Sequence, residues 1–412
     1  MSTSETSVST SAPQRTGALV GVLAGIVILV SLNLRPAITG VGPISDLIQA
    51  STGLSTSAMG MLASIPVFCM GIGALLTPAL IKRIGMDTTV TCALVGLGVT
   101  IVVRSFIPGV GLWVGTVGVG LMIGLLNAVL PPIIKRDFPQ RATGLTGLYS
   151  AALTLSSAVS AGVSVPIAGA SSWRIATGIW VLLVVIGVVA WAWSMRVRSS
   201  LVWQGAYGTS GRQENRIIHD EATLTRPVWK VGLAWAMTSF MGLQSFLFYT
   251  MVQWLPDLEK STGVLAEVAG VHMMFFQMAG LAATLIITAV QGERADQRVV
   301  TVGTALAWGV GLAGMLLAPG AVLMWVILMG GGSGASFYTA LSFISTRTST
   351  TAEASAVSGM SQSVGYFIAA VGPTLAGMLA ESVSWNAVLA MALVVNAVLL
   401  GLGLIAGRPV KM

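Results

Sequence analysis

Arg35 is the side chain in this sequence best placed to do chemistry. It is the one charge deep in an apolar run, and its neighbouring charges in sequence are Arg15 and Asp46. A buried ionised side chain is expensive and usually functional. No Asp or Glu falls in the middle of an apolar run, so Arg35 has no obvious fixed counter-ion. A mobile anion could supply one. A guanidinium presents five donors in a planar fork, which suits a small planar anion. Pro36, Gly40, Gly42 and Pro43 follow, so a helix carrying Arg35 should break or bend there. The competing reading is a snorkel. Arg35 lies 18 residues past Gly17. That is about 27 Å along a helix, in its outer half, and long basic side chains near helix ends reach the interface.

Amides and phenols in the apolar runs are the next candidates, because they orient a polar solute without carrying net charge. Gln244 and Phe248 are four apart and share a helix face, as do Tyr249 and Gln253; Gln362 and Tyr366 share another. Asn33, Asn127, Tyr149 and Tyr338 are further candidates for lining a cavity. Each could instead be interhelical glue, worth about 0.6 kcal/mol per hydrogen bond in a membrane. His272 and Gln277 share one apolar run. His272 could carry a proton near neutral pH, or sit neutral near the outer interface.

Other chemistries are poorly supplied. Two histidines and two cysteines make no convincing metal site, and Cys69 and Cys92 both lie in apolar runs, without a disulfide framework. The string Gly331-Gly332-Ser333-Gly334 looks like that of an intramembrane serine protease, yet the only His in the apolar runs, His272, precedes it. A Ser nucleophile needs such a base beside it. No G-x-x-x-x-G-K-[ST] loop is present. No cofactor is expected, and the chain reads as something other than an enzyme.

These residues must be positioned by membrane helices. Of 412 residues, 55% are hydrophobic and 8% charged, against about 25% charged in soluble domains. Runs of about 20 apolar residues suit spanning helices, and they are too long and continuous for barrel strands. The spans read as 17–45, 55–81, 88–107, 109–134, 142–168 and 172–196, then 227–255, 262–290, 299–318, 320–345, 354–380 and 383–407. The polar tail 1–16 lacks the basic start and short apolar core of a secretory signal. Segment 197–226 reads as a linker between two six-helix halves, 17–196 and 227–407, and 408–412 is a short tail. Such halves are a common transporter plan. With both termini cytoplasmic, 17 of the 21 Lys and Arg residues fall inside and three, Arg104, Arg174 and Lys260, in outside loops. The positive-inside rule favours that orientation. It also accounts for the net charge of +7 without nucleic acid. Trp173, Trp254 and Trp385 fall at span ends, where aromatic belts are expected.

The loop after the second span, with Lys82, Arg83 and Gly85, resembles the loop motif of the major facilitator superfamily. Arg83 and Gly85 match; Pro78 and Lys82 stand where that motif has Gly and Asp, which weakens any gating salt bridge there. Four further stretches are similar to the cyanate porter family within it. They are Asn33–Thr39, Asn127–Pro139, Gly242–Tyr249 with Trp254–Pro256, and Ser358–Tyr366. The resemblance implies twelve transmembrane helices and alternating access around a midplane site. It implies a small planar or anionic solute, cyanate-like, with efflux of a nitroimidazole or other drug-like compound as the alternative. The expected surroundings are a bacterial cytoplasmic membrane and its lipid, with the solute as the only other partner and the chain as a monomer.

Overall fold

The computed structural model describes residues 12–138, 141–203, 227–291, 296–349 and 351–412. Among these no strand occurs, and twelve helical spans run up and down. Span 1 is composite. Spans 2 to 6 are Thr56–Ile84, Met86–Phe106, Val110–Asp137, Ala142–Ala170 and Trp173–Trp203, the last with a turn at Ile179 and Trp180. Spans 7 to 12 are Gly232–Ser261, Ala266–Gln291, Arg298–Leu317, Val322–Arg347, Thr351–Ser382 and Trp385–Ala406. The tail residues 1–11 and most of the expected linker, 204–226, lie outside the described residues. Residues 12–16 and 197–203, read from sequence as tail and linker, are helical and extend spans 1 and 6.

The helix ends follow local chemistry. Lys82 and Arg83, Lys135 and Arg136, and Arg347 occupy the last turns of spans 2, 4 and 10. Cations there are favoured by the helix dipole, and they mark one end of the bundle as the basic end. At the opposite end Ser55, Ser172 and Ser384 cap spans 2, 6 and 12 by accepting from Ala58, Ile175 and Ala387 N–H. Each hydroxyl satisfies one of the orphan donors of a helix start.

Span 1 breaks where Pro36 and its glycines require. Helix Ala12–Ser31 gives way to a turn at Leu32–Leu34, a one-turn helix Pro36–Thr39, a turn at Gly42–Ile44, and helix Ser45–Thr52. The apolar stretch therefore runs Val20–Thr52, 33 residues, and Arg35 falls in its middle. This corrects the outer-half placement, which had ended the span at residue 45. Eleven spans carry an apolar stretch long enough to cross a membrane; span 7 is the exception among the described residues. It is buried along most of its length from Ala234 to Glu259, so its polar residues face protein instead of lipid.

The first and last six spans meet most closely at the end opposite the basic loops. Gly42 of span 1 lies so near span 7 that a Cβ would collide with Val252 O. Ser45 Oγ donates to Asp257 Oδ2 at 2.5 Å. Lys260 pairs with Asp46 at 3.2 Å and Asp257 at 2.8 Å. Ser64 on span 2 bonds Thr374 on span 11 at 2.7 Å. Trp254 is fully buried, donates to Pro373 O at 2.8 Å and packs on Trp385. It therefore belongs to this seal, which corrects its assignment to an interface belt; Trp173 is buried as well.

Candidate functional site

The break in span 1 turns the Arg35 side chain into the space between the two groups of six. Its Nη1 donates to Tyr249 OH of span 7 at 2.7 Å. The guanidinium carbon lies 5.6 Å from the Phe248 ring centroid and 5.8 Å from that of Tyr249. Both distances allow cation–π attraction. Tyr149 of span 5 and Tyr366 of span 11, each 8% exposed, interact electrostatically with the same guanidinium. Three of the chain's five tyrosines thus converge on one arginine. Among the described residues no carboxylate pairs with Arg35; the ion pairs are elsewhere.

Asn127 on span 4 extends the cluster. Its Oδ1 accepts from Tyr149 OH at 2.9 Å, while its Nδ2 is buried without a partner. An unsatisfied buried donor costs about 1–3 kcal/mol, so this corner favours a guest that accepts hydrogen bonds. Arg35 and Asn127 supply donors, and the phenols supply a polarisable wall with adaptable hydroxyls.

The other candidates separate by position. Gln253 lines a small cavity bounded also by Tyr249. Gln277 donates to Ser157 Oγ of span 5, a bond across the two groups. Gln244 is buried and spends its amide on Ser245 Oγ at 2.7 Å. Gln362 is half-buried one turn before Tyr366. Asn33 points away, donating to Leu29 O at 3.0 Å and packing near Gly187 of span 6. Tyr338 is half-buried on span 10, outside the group that interacts with Arg35.

His272 sits apart, at the end opposite the basic loops, with Nδ1 2.6 Å from Glu259 Oε2. Glu259 is fully buried. Sequence reading ended span 7 at residue 255, which left Glu259 outside it, and found no acid in the middle of a span. The helix runs to Ser261, so Glu259 lies in the last turn of span 7, near its end and not at its middle.

Lys82 and Arg83 are exposed, and Gly85 takes φ +80, the left-handed region that favours glycine. The acid at this loop is Asp87, two residues past Gly85. Arg136 and Arg198 each reach it at 3.0 Å, and both hold Asp137 at 2.6 Å. The network ties spans 3, 4 and 6 together. Sequence reading missed it because the acids sit outside the expected motif position, although Lys135-Arg136-Asp137 was in view.

Arg104 is the second residue that sequence missed. Assigned to a loop, it is 4% exposed in span 3 and donates to Ala37 O at 2.5 Å. It thereby satisfies a carbonyl freed by the break in span 1.

Tyr249→Phe should weaken solute binding by about 2- to 13-fold, the worth of one hydrogen bond of roughly 0.5–1.5 kcal/mol. Titration of purified wild type and variant with the same solute measures it. Equal affinities would show that the Arg35–Tyr249 bond plays no part in binding.

The model of the Major Facilitator Superfamily matches residues 24–370. An uncharacterized transporter of Bacillus subtilis, YycB, is 33% identical over 365 residues, covering 87% of each chain. The 2-nitroimidazole transporter of Escherichia coli is 32% identical, covering 94% of this chain and 95% of its own. The cyanate transport protein CynX of the same species is 27% identical, covering 88% and 90%. Among solved structures, a partially occluded inward-open form of the xylose transporter XylE superposes with a TM-score of 0.70. It is 13% identical and covers 92% of this chain and 97% of its own. Twelve helical spans, a polar cluster enclosed between two groups of six, and these likenesses agree: the chain belongs to the major facilitator superfamily and is a multi-pass membrane transporter of small solutes, not an enzyme.

Proposed function

We propose that this transporter carries a small planar or anionic solute, cyanate-like, across a bacterial cytoplasmic membrane by alternating access. The two six-helix halves rock about the Arg35 cluster, and both termini face the cytoplasm. The observation that carries this reading is the unpaired guanidinium. Arg35 is held by one neutral phenol and two aromatic faces, with no carboxylate among the described residues. A cation inside a bundle without a fixed counter-charge favours an anion there. The relative named for cyanate transport supports the same solute class.

Orientation follows from charge. Arg83, Arg136 and Arg347 gather at one end of the bundle, and basic loops stay in the cytoplasm. The seal at the other end then faces outward. The protein works as a monomer and uses no cofactor; Lys82, Arg83 and Gly85 belong to the inner gate.

A second reading is export of a nitroimidazole or similar compound. The ring wall of Phe248, Tyr149, Tyr249 and Tyr366 favours a flat heterocycle, and one relative is named a 2-nitroimidazole transporter. Proteoliposomes separate the two. Uptake of labelled cyanate, competed by thiocyanate and insensitive to 2-nitroimidazole, is the expected result. Movement of 2-nitroimidazole alone would put the second reading first, and movement of neither would overturn both.

A further inference from the structure

Arg104 and Arg35 bracket the break in span 1, and Tyr249 borders both. Its hydroxyl takes the Arg35 hydrogen bond, while the residue also lines a cavity of about 30 Å³ whose wall includes Arg104, Thr116, Thr177 and Gln253. Such a volume admits a water or a small ion.

The donors on that wall outnumber their acceptors. A guanidinium has five N–H groups, and the one acceptor described for Arg104 is Ala37 O. No carboxylate pairs with it among the described residues. Gln253 is 4% exposed, and its Nε2 is buried without a hydrogen-bond partner. The Thr116 and Thr177 hydroxyls donate to Leu112 O and Trp173 O within their own helices. Arg104 and Gln253 are therefore the donors left for a guest. A water could accept from both, but it would leave the buried charge uncompensated, which is costly. An anion satisfies the donors and the charge together.

We propose that this cavity is a second station for a small monovalent anion, bound by Arg104 and Gln253. It lies beyond Tyr249 from the Arg35 cluster. The ligand class is a halide or a rod-shaped pseudohalide such as cyanate or thiocyanate. As part of a translocation route the station rests on the anion-carrier reading above; as a binding site it is tested separately.

The test uses the full chain in lipid nanodiscs with bromide as the probe, at constant ionic strength against gluconate. Arg35→Ala removes the first site. That protein should still show a saturable, bromide-dependent rise in melting temperature, since a ligand of the native state stabilises it. Adding Gln253→Leu, which leaves the Arg104 bond to Ala37 untouched, should raise the half-saturating bromide concentration about tenfold. Adding Gln253→Glu instead places a fixed carboxylate beside Arg104. That variant should melt higher without bromide and lose the bromide response. Either variant suffices if the other fails to fold. Absence of a bromide-specific response in Arg35→Ala, or Gln253 variants that respond like their parent, would overturn the station and leave Arg104 as a brace for the break. Should bromide bind as expected while wild-type proteoliposomes move no anion, the station stands and the transport reading falls.

Discussion

Solute transport by the Arg35→Ala protein should fall below detection while its membrane insertion and melting stay close to wild type. The side chain makes one hydrogen bond to a neutral phenol and no ion pair among the described residues. Its removal therefore leaves no opposite charge stranded in the protein, the usual reason that breaking a buried pair is ruinous. The solute loses much more. A hydrogen bond to a charged group is worth about 1.5–3 kcal/mol, so losing the two bonds of a planar fork costs roughly 150-fold in affinity even at the lower end. Arg35→Lys keeps the charge but replaces the fork with a point donor. It should bind anions about tenfold more weakly and transport slowly. Counterflow in proteoliposomes, read beside a melting curve, measures both variants. Normal transport by Arg35→Ala would return Arg35 to a structural role and remove the anion from the site.

Much of the fold was legible because a bilayer demands a length of apolar chain and leaves little choice of secondary structure. The break after Arg35 was legible from Pro36, Gly40, Gly42 and Pro43, since each residue type weakens a helix at its own position. Depth was harder. Arg104 and Glu259 are each within a few residues of an apparent span end, and composition alone assigned them to water. Span 7, Gly232–Ser261, runs past the end of its apolar run and carries Glu259, whereas Arg104 lies inside the helix Met86–Phe106, which ends within a residue of its apolar run. Their polar ends are covered by neighbouring spans. Span 7 shows the same limit: its amides and acids lower its hydropathy because they face protein. At the site, Arg35 was readable as a lone charge. The convergence of Tyr149, Tyr249 and Tyr366 on it was not, because they come from three spans and share no sequence spacing. The faces of Gln244 and Asn33 were equally hidden. Helical periodicity shows which residues share a face, but not which neighbour that face meets.

Gly42→Ala should slow turnover strongly without touching the solute. Gly42 packs against the backbone of span 7, where a Cβ would meet Val252 O and Gln253 O. Backbone atoms cannot swing aside as a flexible side chain would. The methyl group can be accommodated only if spans 1 and 7 separate, which opens the seal made by Ser45, Asp257, Lys260 and Asp46. Overpacking of this kind costs about 1–3 kcal/mol. Spent on one conformation alone, it shifts the balance away from the sealed state by roughly 5- to 150-fold. A carrier working by alternating access must pass through that state once per cycle, so the turnover rate should drop while solute affinity at the Arg35 cluster changes little. Gly401→Ala, at a position with open space around it, is the matched control and should be silent. Accessibility gives an independent readout. Ile48 is 1% exposed and lines the cavity beneath the seal. In a background lacking Cys69 and Cys92, a cysteine placed at Ile48 should resist an impermeant thiol reagent in the parent protein. It should react from the face opposite the basic loops once Gly42→Ala is added. Wild-type turnover in Gly42→Ala, or unchanged labelling at position 48, would mean that the close contact of spans 1 and 7 is not a step of the cycle.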